Sequence, residues 1–241
     1  MAQRETPITR RPRVATGIEG LDPLIGGGFE KGKVYLITGE SGGGNTIFSM
    51  QYLVKGIERG ENGIFVTVDE KPEHLIEDAA SLGWDLQSMM DEKHMCMLDI
   101  THHFEDARSG KDKRIDIRKI MADLKHFISD IDAKRVVIDP IAPLVIYSGM
   151  DVRDYIRSLV FALDGLGCTS LMTSEIPIGS NTISRFGVEE LFASGVIVMG
   201  FARQERTFER TILIRKMRGT KIGLHLHSYT IEQGAGISIV S

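Results

Sequence analysis

Short apolar runs alternate with amphipathic stretches through most of the chain. The apolar runs are rich in β-branched residues and predict strands at Lys33–Thr38, Gly63–Val68, His94–Ile100, Arg135–Asp139 and Thr169–Thr173. Between them, apolar residues recur at the helical period and predict helices at Thr46–Arg59, Glu73–Leu82, Ile115–Ile131 and Val152–Leu166. Strands that alternate with helices at this spacing indicate βαβ units, and therefore a parallel, doubly wound α/β sheet.

The pattern changes after Glu190. Strand-like runs then follow one another at Gly195–Arg203, Arg206–Lys216, Gly223–Ile231 and Gly236–Val240. Their connections are too short for crossover helices, so these strands are predicted to be antiparallel. We therefore predict one α/β domain over residues 13–241, with a mainly parallel twisted sheet flanked by helices and C-terminal antiparallel strands.

Residues 1–12 precede this pattern and are predicted to form a flexible basic arm. The arginines Arg4, Arg10, Arg11 and Arg13 cluster there without an apolar side to bury. The chain as a whole carries a formal net charge of −4. A net negative charge provides no general field for nucleic acid or an anionic membrane, so we expect neither as a partner.

The amino-acid composition of the chain is typical of soluble globular proteins. It has 241 residues, of which 42% are hydrophobic and 26% are charged, as in soluble globular proteins. We find no N-terminal apolar segment and no apolar run near the ~20 residues that span a bilayer, and we expect a cytoplasmic protein. Cys96 and Cys168 lie in short apolar runs and are predicted to be buried free thiols.

A glycine-rich loop joins the first predicted strand of the parallel sheet to the first long helix. Its sequence, Gly-Glu-Ser-Gly-Gly-Gly-Asn-Thr over residues 39–46, follows the P-loop pattern G-x-x-x-x-G-K-[ST] at Gly39, Gly44 and Thr46. Glycines allow backbone N–H groups to converge on phosphate oxygens, and the helix N-terminus adds unpaired donors. The phosphate-binding positions are predicted to be Ser41, Gly42, Gly43, Gly44, Asn45, Thr46 and Ile47. The Thr46 hydroxyl is placed to ligate Mg²⁺.

Asn45 occupies the lysine position of this pattern. Lysine gives a full positive charge to the β- and γ-phosphates, whereas asparagine offers only a neutral amide donor. A hydrogen bond to a charged group contributes roughly 1.5–3 kcal/mol, so binding is expected to weaken by one or two orders of magnitude. Hydrolysis is expected to suffer more, because charge develops on the transferred group. Asn45 is either natural to a nucleotide sensor or a substitution that cripples the site, and the sequence leaves both open.

Carboxylates end two of the predicted parallel strands. Asp139 closes the run Arg135–Asp139 and suits the Walker B role of holding Mg²⁺ through water. Asp69 and Glu70 follow the strand Gly63–Val68, and strand carboxyl ends face the ligand crevice in open α/β sheets. A carboxylate there can orient and deprotonate the attacking water.

Several segments together resemble the KaiC family of RecA-superfamily ATPases, and the resemblance covers nearly the whole chain from Val14. They are residues 17–22 with 26–28, the loop 39–46, 65–70, 81–86, 136–139, 172–175, 185–190 and 214–220. The resemblance implies a RecA-like fold and a ring, usually a hexamer, with ATP and Mg²⁺ held between subunits.

The resemblance also implies roles for single residues. Asp69 and Glu70 match the acids that activate water, and Ser81 matches a position near the adenine. Lys216 and Arg218 match a basic pair that reaches the γ-phosphate of the adjacent subunit's nucleotide, and Thr220 closes the same motif. Alternation along the strand supports the pair, since it places Lys216 and Arg218 on one face. If supplied by a neighbour, Lys216 partly replaces the charge that is missing at Asn45.

The chain departs from the protein that names the family in two ways. That protein has two tandem domains, whereas this chain has one. The self-phosphorylated serine and threonine of its kinase domain fall at Glu189 and Glu190 here, so no self-phosphorylation is expected at this pair.

Three functions remain open on the sequence. The first is a slow, ring-forming ATPase, favoured by the acids, Thr46 and the basic pair. The second is a non-catalytic ATP-sensing module for assembly or signalling, favoured by Asn45. The third is a DNA-handling recombinase or helicase, which only the N-terminal arginines favour, because no basic stripe with interleaved aromatic residues is present.

Overall fold

The computed structural model describes residues 11–101 and 116–240. Most of the strands form one sheet, and only the first two stand apart as a small antiparallel pair. The strands are β1 (Arg13–Val14), β2 (Phe29–Glu30), β3 (Val34–Gly39), β4 (Gly63–Thr67), β5 (Met95–Asp99), β6 (Arg135–Asp139), β7 (Thr169–Glu175), β8 (Gly195–Gln204), β9 (Thr207–Met217), β10 (Leu226–Glu232) and β11 (Gly236–Val240).

Helices cover the sheet. They are α1 (Leu21–Leu24), α2 (Asn45–Ile57), α3 (Pro72–Ser81), α4 (Leu86–Asp91), α5 (Ile117–Ile131), α6 (Ala142–Ile146), α7 (Val152–Asp164) and α8 (Glu189–Phe192). Two of the long helices begin at an aspartate that caps free backbone donors. Asp116 accepts a hydrogen bond from the N–H of Arg118, and Asp151 accepts from the N–H groups of Arg153 and Asp154.

The main sheet has nine strands in the order β11-β10-β9-β8-β3-β7-β6-β4-β5. From β8 to β5 the neighbouring strands are parallel, and from β8 to β11 they are antiparallel. Strand β3 lies in the middle and is buried at every position, as parallel strands with both faces covered are. The predicted α/β class and the antiparallel C-terminal strands are therefore confirmed.

Two apolar clusters lie on the two faces of the sheet. Phe48, Tyr52 and Phe65 belong to one cluster, and Leu36, Val66 and Leu159 belong to the other. Residues 36 and 37 of β3 fall in different clusters because successive side chains of a strand point to opposite faces. Packing on both faces fixes β3 and therefore the loop that leaves its carboxyl end.

The basic arm can be compared with the structure only in part, because Arg4 and Arg10 lie outside the described residues. Arg11 is an exposed residue 3.5 Å from the Glu30 carboxylate. The sequence analysis grouped Arg13 with the solvated arginines of the arm, and this prediction is wrong. Arg13 lies in β1 and donates to the carbonyl oxygens of Ile25 and Gly28, both at 2.7 Å. These hydrogen bonds tie Arg13 to the backbone of the folded domain, so Arg13 does not belong to a solvated arm.

Candidate functional site

The loop between β3 and α2 has the backbone conformation that a phosphate cradle needs. Gly42 and Gly44 adopt φ values of 83° and 93°, in the left-handed region that favours glycine. At Gly39 a Cβ atom would lie 2.3 Å from the carbonyl oxygen of Met199, so only glycine fits there. The loop is closed by a hydrogen bond from Gly43 N to Glu40 O at 3.0 Å. The helix α2 then begins at Asn45 and leaves its first backbone donors directed at the loop.

The Tyr229 hydroxyl anchors this loop from the antiparallel side of the sheet. It donates to the carbonyl oxygen of Gly43, and both groups are buried. Burial raises the pKa of Tyr229 to about 12, while the nearby charge of Arg210 acts in the opposite direction. The tyrosine therefore remains a neutral donor at physiological pH.

Asn45 turns back toward the ends of the central strands. Its Nδ2 lies 3.5 Å from the carbonyl oxygens of both Gly39 and Ser174, which is the outer limit of a hydrogen bond. Its Oδ1 is buried and has no hydrogen-bond partner within the described residues. Asn45 thus presents a neutral amide, without positive charge, at the lysine position of the sequence pattern.

Asp139 lies at the carboxyl end of β6 with its side chain buried. Thr173 Oγ1 donates to its Oδ1, whereas Oδ2 has no hydrogen-bond partner in the described part of the chain. Burial raises the pKa of Asp139, and the hydroxyl groups of Thr173 and Thr46 oppose that shift. Negative charge on Glu70 and Glu175 raises it further. A buried carboxylate beside the Thr46 hydroxyl is a donor set that suits a hard divalent cation.

A pocket of about 360 Å³ connects these groups. The predicted site residues that line it are Ser41, Gly42, Gly44, Asn45, Thr46, Ile47, Asp69, Glu70 and Asp139. The Glu70 carbonyl oxygen also accepts a hydrogen bond from Thr67 Oγ1 at 2.5 Å, which fixes the turn after β4. The strands β3, β4 and β6 thus bring the loop, the two acids predicted to activate water and the carboxylate predicted to bind Mg²⁺ to one pocket.

No cluster of three or more His, Cys, Asp or Glu side chains suited to hold a metal ion occurs within residues 11–101 and 116–240. Mg²⁺ is commonly held by one or two carboxylates together with substrate phosphates and water, and so does not need such a cluster. Thr46 and Asp139 fit that manner of binding.

Lys216 and Arg218 lie away from this pocket. The backbone N–H of Arg218 donates to Ser194 O at 2.8 Å, and Ser194 N donates to Val34 O at 2.7 Å, which places Arg218 level with the start of β3. The phosphate loop leaves the opposite end of β3. Lys216 Nζ donates to the carbonyl oxygens of Glu190 and Ala193, each at 2.7 Å. Neither side chain can reach the loop of its own chain.

Two further predicted contacts also lie outside the pocket. Ser81 ends α3, is exposed, and donates to Asp78 O at 2.6 Å. Thr220 Oγ1 accepts a hydrogen bond from Arg13 Nη2 at 2.6 Å. The structure of the single chain therefore does not bring Ser81 or Thr220 to the loop.

Several lining residues were missed by the sequence analysis, among them Thr173, Glu175 and Arg210. The first two follow from the predicted strand Thr169–Thr173, because β7 pairs with β3 and ends beside the loop. Arg210 lies on β9, which is separated from the loop by more than 160 residues, and no local signal predicts that contact.

The fold and the site together define a P-loop ATPase of the RecA-like type. A family model described as "ATPase: KaiC" matches residues 14–241, and the chain belongs to this family. A UPF0273 protein of Pyrococcus furiosus is 34% identical over 228 residues, which are 91% of this chain and 90% of that protein. The circadian clock protein KaiC3 of Synechocystis is 34% identical over 230 residues, which are 95% of this chain and 45% of that protein.

A solved structure supports the same assignment. The KaiC-like protein of Pyrococcus horikoshii is similar with a TM-score of 0.83 and 32% sequence identity, over 96% of this chain and all of that one. Within the described part of this chain, no helix is long and apolar enough to cross a membrane.

Proposed function

We propose that this chain binds ATP with Mg²⁺ on the loop 40–46 and hydrolyses it slowly, in a ring where each nucleotide lies between two copies of the chain. One observation carries the proposal. A single pocket gathers the loop, Thr46, Asp139 and the acids Asp69 and Glu70, but has Asn45 in place of lysine.

The side chains of the pocket have separate tasks in this proposal. Backbone donors at Gly42–Thr46 bind the phosphates, and the N-terminus of α2 adds its partial positive charge. Thr46 and Asp139 would hold Mg²⁺, which neutralises charge that develops on the phosphoryl group. Asp69 or Glu70 orients a water molecule and accepts its proton. Asn45 lacks the charge that normally favours the transition state, and turnover is slow for that reason.

The geometry of β9 supports a site shared between copies. Lys216 and Arg218 lie at the far end of the sheet from their own loop, so any loop-bound phosphate that they contact would belong to another copy. Both side chains already donate to carbonyl oxygens near the end of α8, with Arg218 Nη2 2.9 Å from Leu191 O. These contacts hold the pair in place before any nucleotide binds.

A phosphate-release assay on the parent chain and on Asn45→Lys tests the proposal. We expect the lysine variant to bind Mg·ATP more tightly and to release phosphate at least about tenfold faster, because a charged donor is restored at the loop. Gln233→Lys is the matched control, since it adds the same charge on an exposed turn outside the pocket. Equal rates for all three proteins would refute the role given to Asn45.

A non-catalytic ATP sensor is the second candidate, and the orientation of Asn45 favours it. A ligand that bridges two copies stabilises their assembly without turnover. Mg·ATP binding by the parent chain with no phosphate release above a protein-free blank would select this function over a slow ATPase.

A further inference from the structure

Positive charge is scarce in the phosphate pocket. The carboxylates that line it are Glu40, Asp69, Glu70, Asp139 and Glu175. Among the lining side chains of the described residues, Arg210 alone is cationic. Apart from the proposed Mg²⁺, Asn45 and the backbone amides give a triphosphate in this pocket no full positive charge, while the carboxylates repel it.

The register of the sheet brings Arg210 to the loop. Arg210 on β9 pairs with Phe201 on β8, and paired side chains project from the same face. Phe201 reaches the loop, since a Cβ atom on Gly42 would lie 3.8 Å from its Cζ. Arg210 also influences the pKa of Tyr229, whose hydroxyl donates to Gly43 O. Two neighbours of Arg210 therefore touch the loop itself.

The Arg210 guanidinium is available for a ligand. Its side chain is exposed, and it forms no hydrogen bond or salt bridge with any residue in the ranges 11–101 and 116–240. Arg135, by contrast, is bound to the Glu61 carboxylate. A free guanidinium presents paired N–H donors that match phosphate oxygens.

From this arrangement we propose that Arg210 of the same chain binds the nucleotide phosphates and supplies the positive charge that Asn45 lacks. This inference rests on the proposed ATP site and adds a residue to it. Arg210 differs in position from Lys216, which lies near the far end of β9, and from Arg218, which follows that strand. It lies beyond Gly39 at the loop end of the sheet, whereas Lys216 is six residues further along, about 20 Å away at 3.3 Å per residue.

Titration of Mg·ATP into Arg210→Gln, Arg210→Lys and the parent chain tests the inference. We expect Arg210→Gln to weaken ATP binding by about ten- to a hundredfold, and Arg210→Lys to recover part of that loss. Arg206→Gln is the matched control, because Arg206 is exposed on the same hairpin but does not line the pocket. Unfolding transitions without nucleotide are expected to coincide for all four proteins.

The Asn45→Lys background separates charge replacement from a general contribution. If Arg210 stands in for the lysine, Arg210→Gln has a clearly smaller effect when Lys occupies position 45, because the two cations share one task. If Arg210→Gln weakens ATP binding equally in both backgrounds, Arg210 does not stand in for the lysine. An affinity of Arg210→Gln equal to that of the parent chain also overturns the inference. Failure of the parent and of Asn45→Lys to bind Mg·ATP at all would instead refute the proposed function, and this inference with it.

Discussion

At residue 45 the loop carries a neutral amide where its sequence pattern has lysine. The backbone of the cradle does not depend on that side chain, because Gly42 and Gly44 hold the left-handed turns and Tyr229 holds Gly43 O. The charged side chain of a typical P-loop is thus absent, while the backbone conformation that suits an anion is present. Binding and turnover can therefore differ in their sensitivity to this one position.

Thr46 provides a separate test at the same scale. We expect Thr46→Ala to reduce the gain in ATP affinity that Mg²⁺ provides by about tenfold, since the hydroxyl ligand is lost. Thr46→Ser keeps the hydroxyl and is expected to behave like the parent. ATP titrations with and without Mg²⁺ measure the difference. A Thr46→Ala protein with the parent's full magnesium dependence would exclude Thr46 as a ligand.

At the scale of single elements, long periodic segments were predictable. The helix predicted at Thr46–Arg59 is found at Asn45–Ile57, and the strand Arg135–Asp139 is found with the same bounds. Short helices such as Leu86–Asp91 were missed because a single turn or two gives no period to detect. A local signal was nevertheless present there, since Asp85 caps the helix by accepting a hydrogen bond from Ser88 N.

The site was predictable where its parts are local in sequence. The loop pattern, Thr46 and the acids at strand ends could be found because each follows its own strand. Arg210 could not be found, because its place depends on how β9 pairs with β8 beside β3. The sequence indicates that β9 is antiparallel to its neighbour but not which of its residues lies over the loop.

Lys216 gives a pH-dependent prediction for strand β9. Burial, aided by the charge of Arg218, lowers the pKa of Lys216 from 10.5 to about 8. Between pH 8 and 10.5 the unfolded chain therefore binds more protons than the folded chain, so folding stability rises with pH across this window.

A comparison of the parent chain with Lys216→Met tests this pH dependence of folding stability. The free energy of unfolding of the parent, measured with urea at pH 7 and pH 9.5, is expected to increase relative to that of Lys216→Met at the higher pH. A constant difference, or one that shrinks as pH rises, would mean that Lys216 titrates normally in the folded chain.

At the scale of the whole molecule, the cationic residues at the two ends of β9 are proposed to bind different nucleotides. In our proposals Arg210 lies at the loop end and serves its own chain, whereas Lys216 near the opposite end, and Arg218 just beyond it, serve another copy. One strand would then contribute cations to two nucleotides in a ring. In this proposal the single chain supplies the loop and the acids, and the complete set of positive charges requires a neighbour.

A crystal structure grown with ATP and Mg²⁺ at millimolar concentration tests the central claim most directly. We expect the triphosphate to lie on the backbone amides of residues 42–46, with Mg²⁺ near Thr46 and Asp139 and with Arg210 of the same chain on the phosphates. Lys216 and Arg218 are expected to approach from an adjacent copy. Density for the triphosphate elsewhere on the chain, or a loop that stays empty in crystals of both the parent and Asn45→Lys, would contradict it.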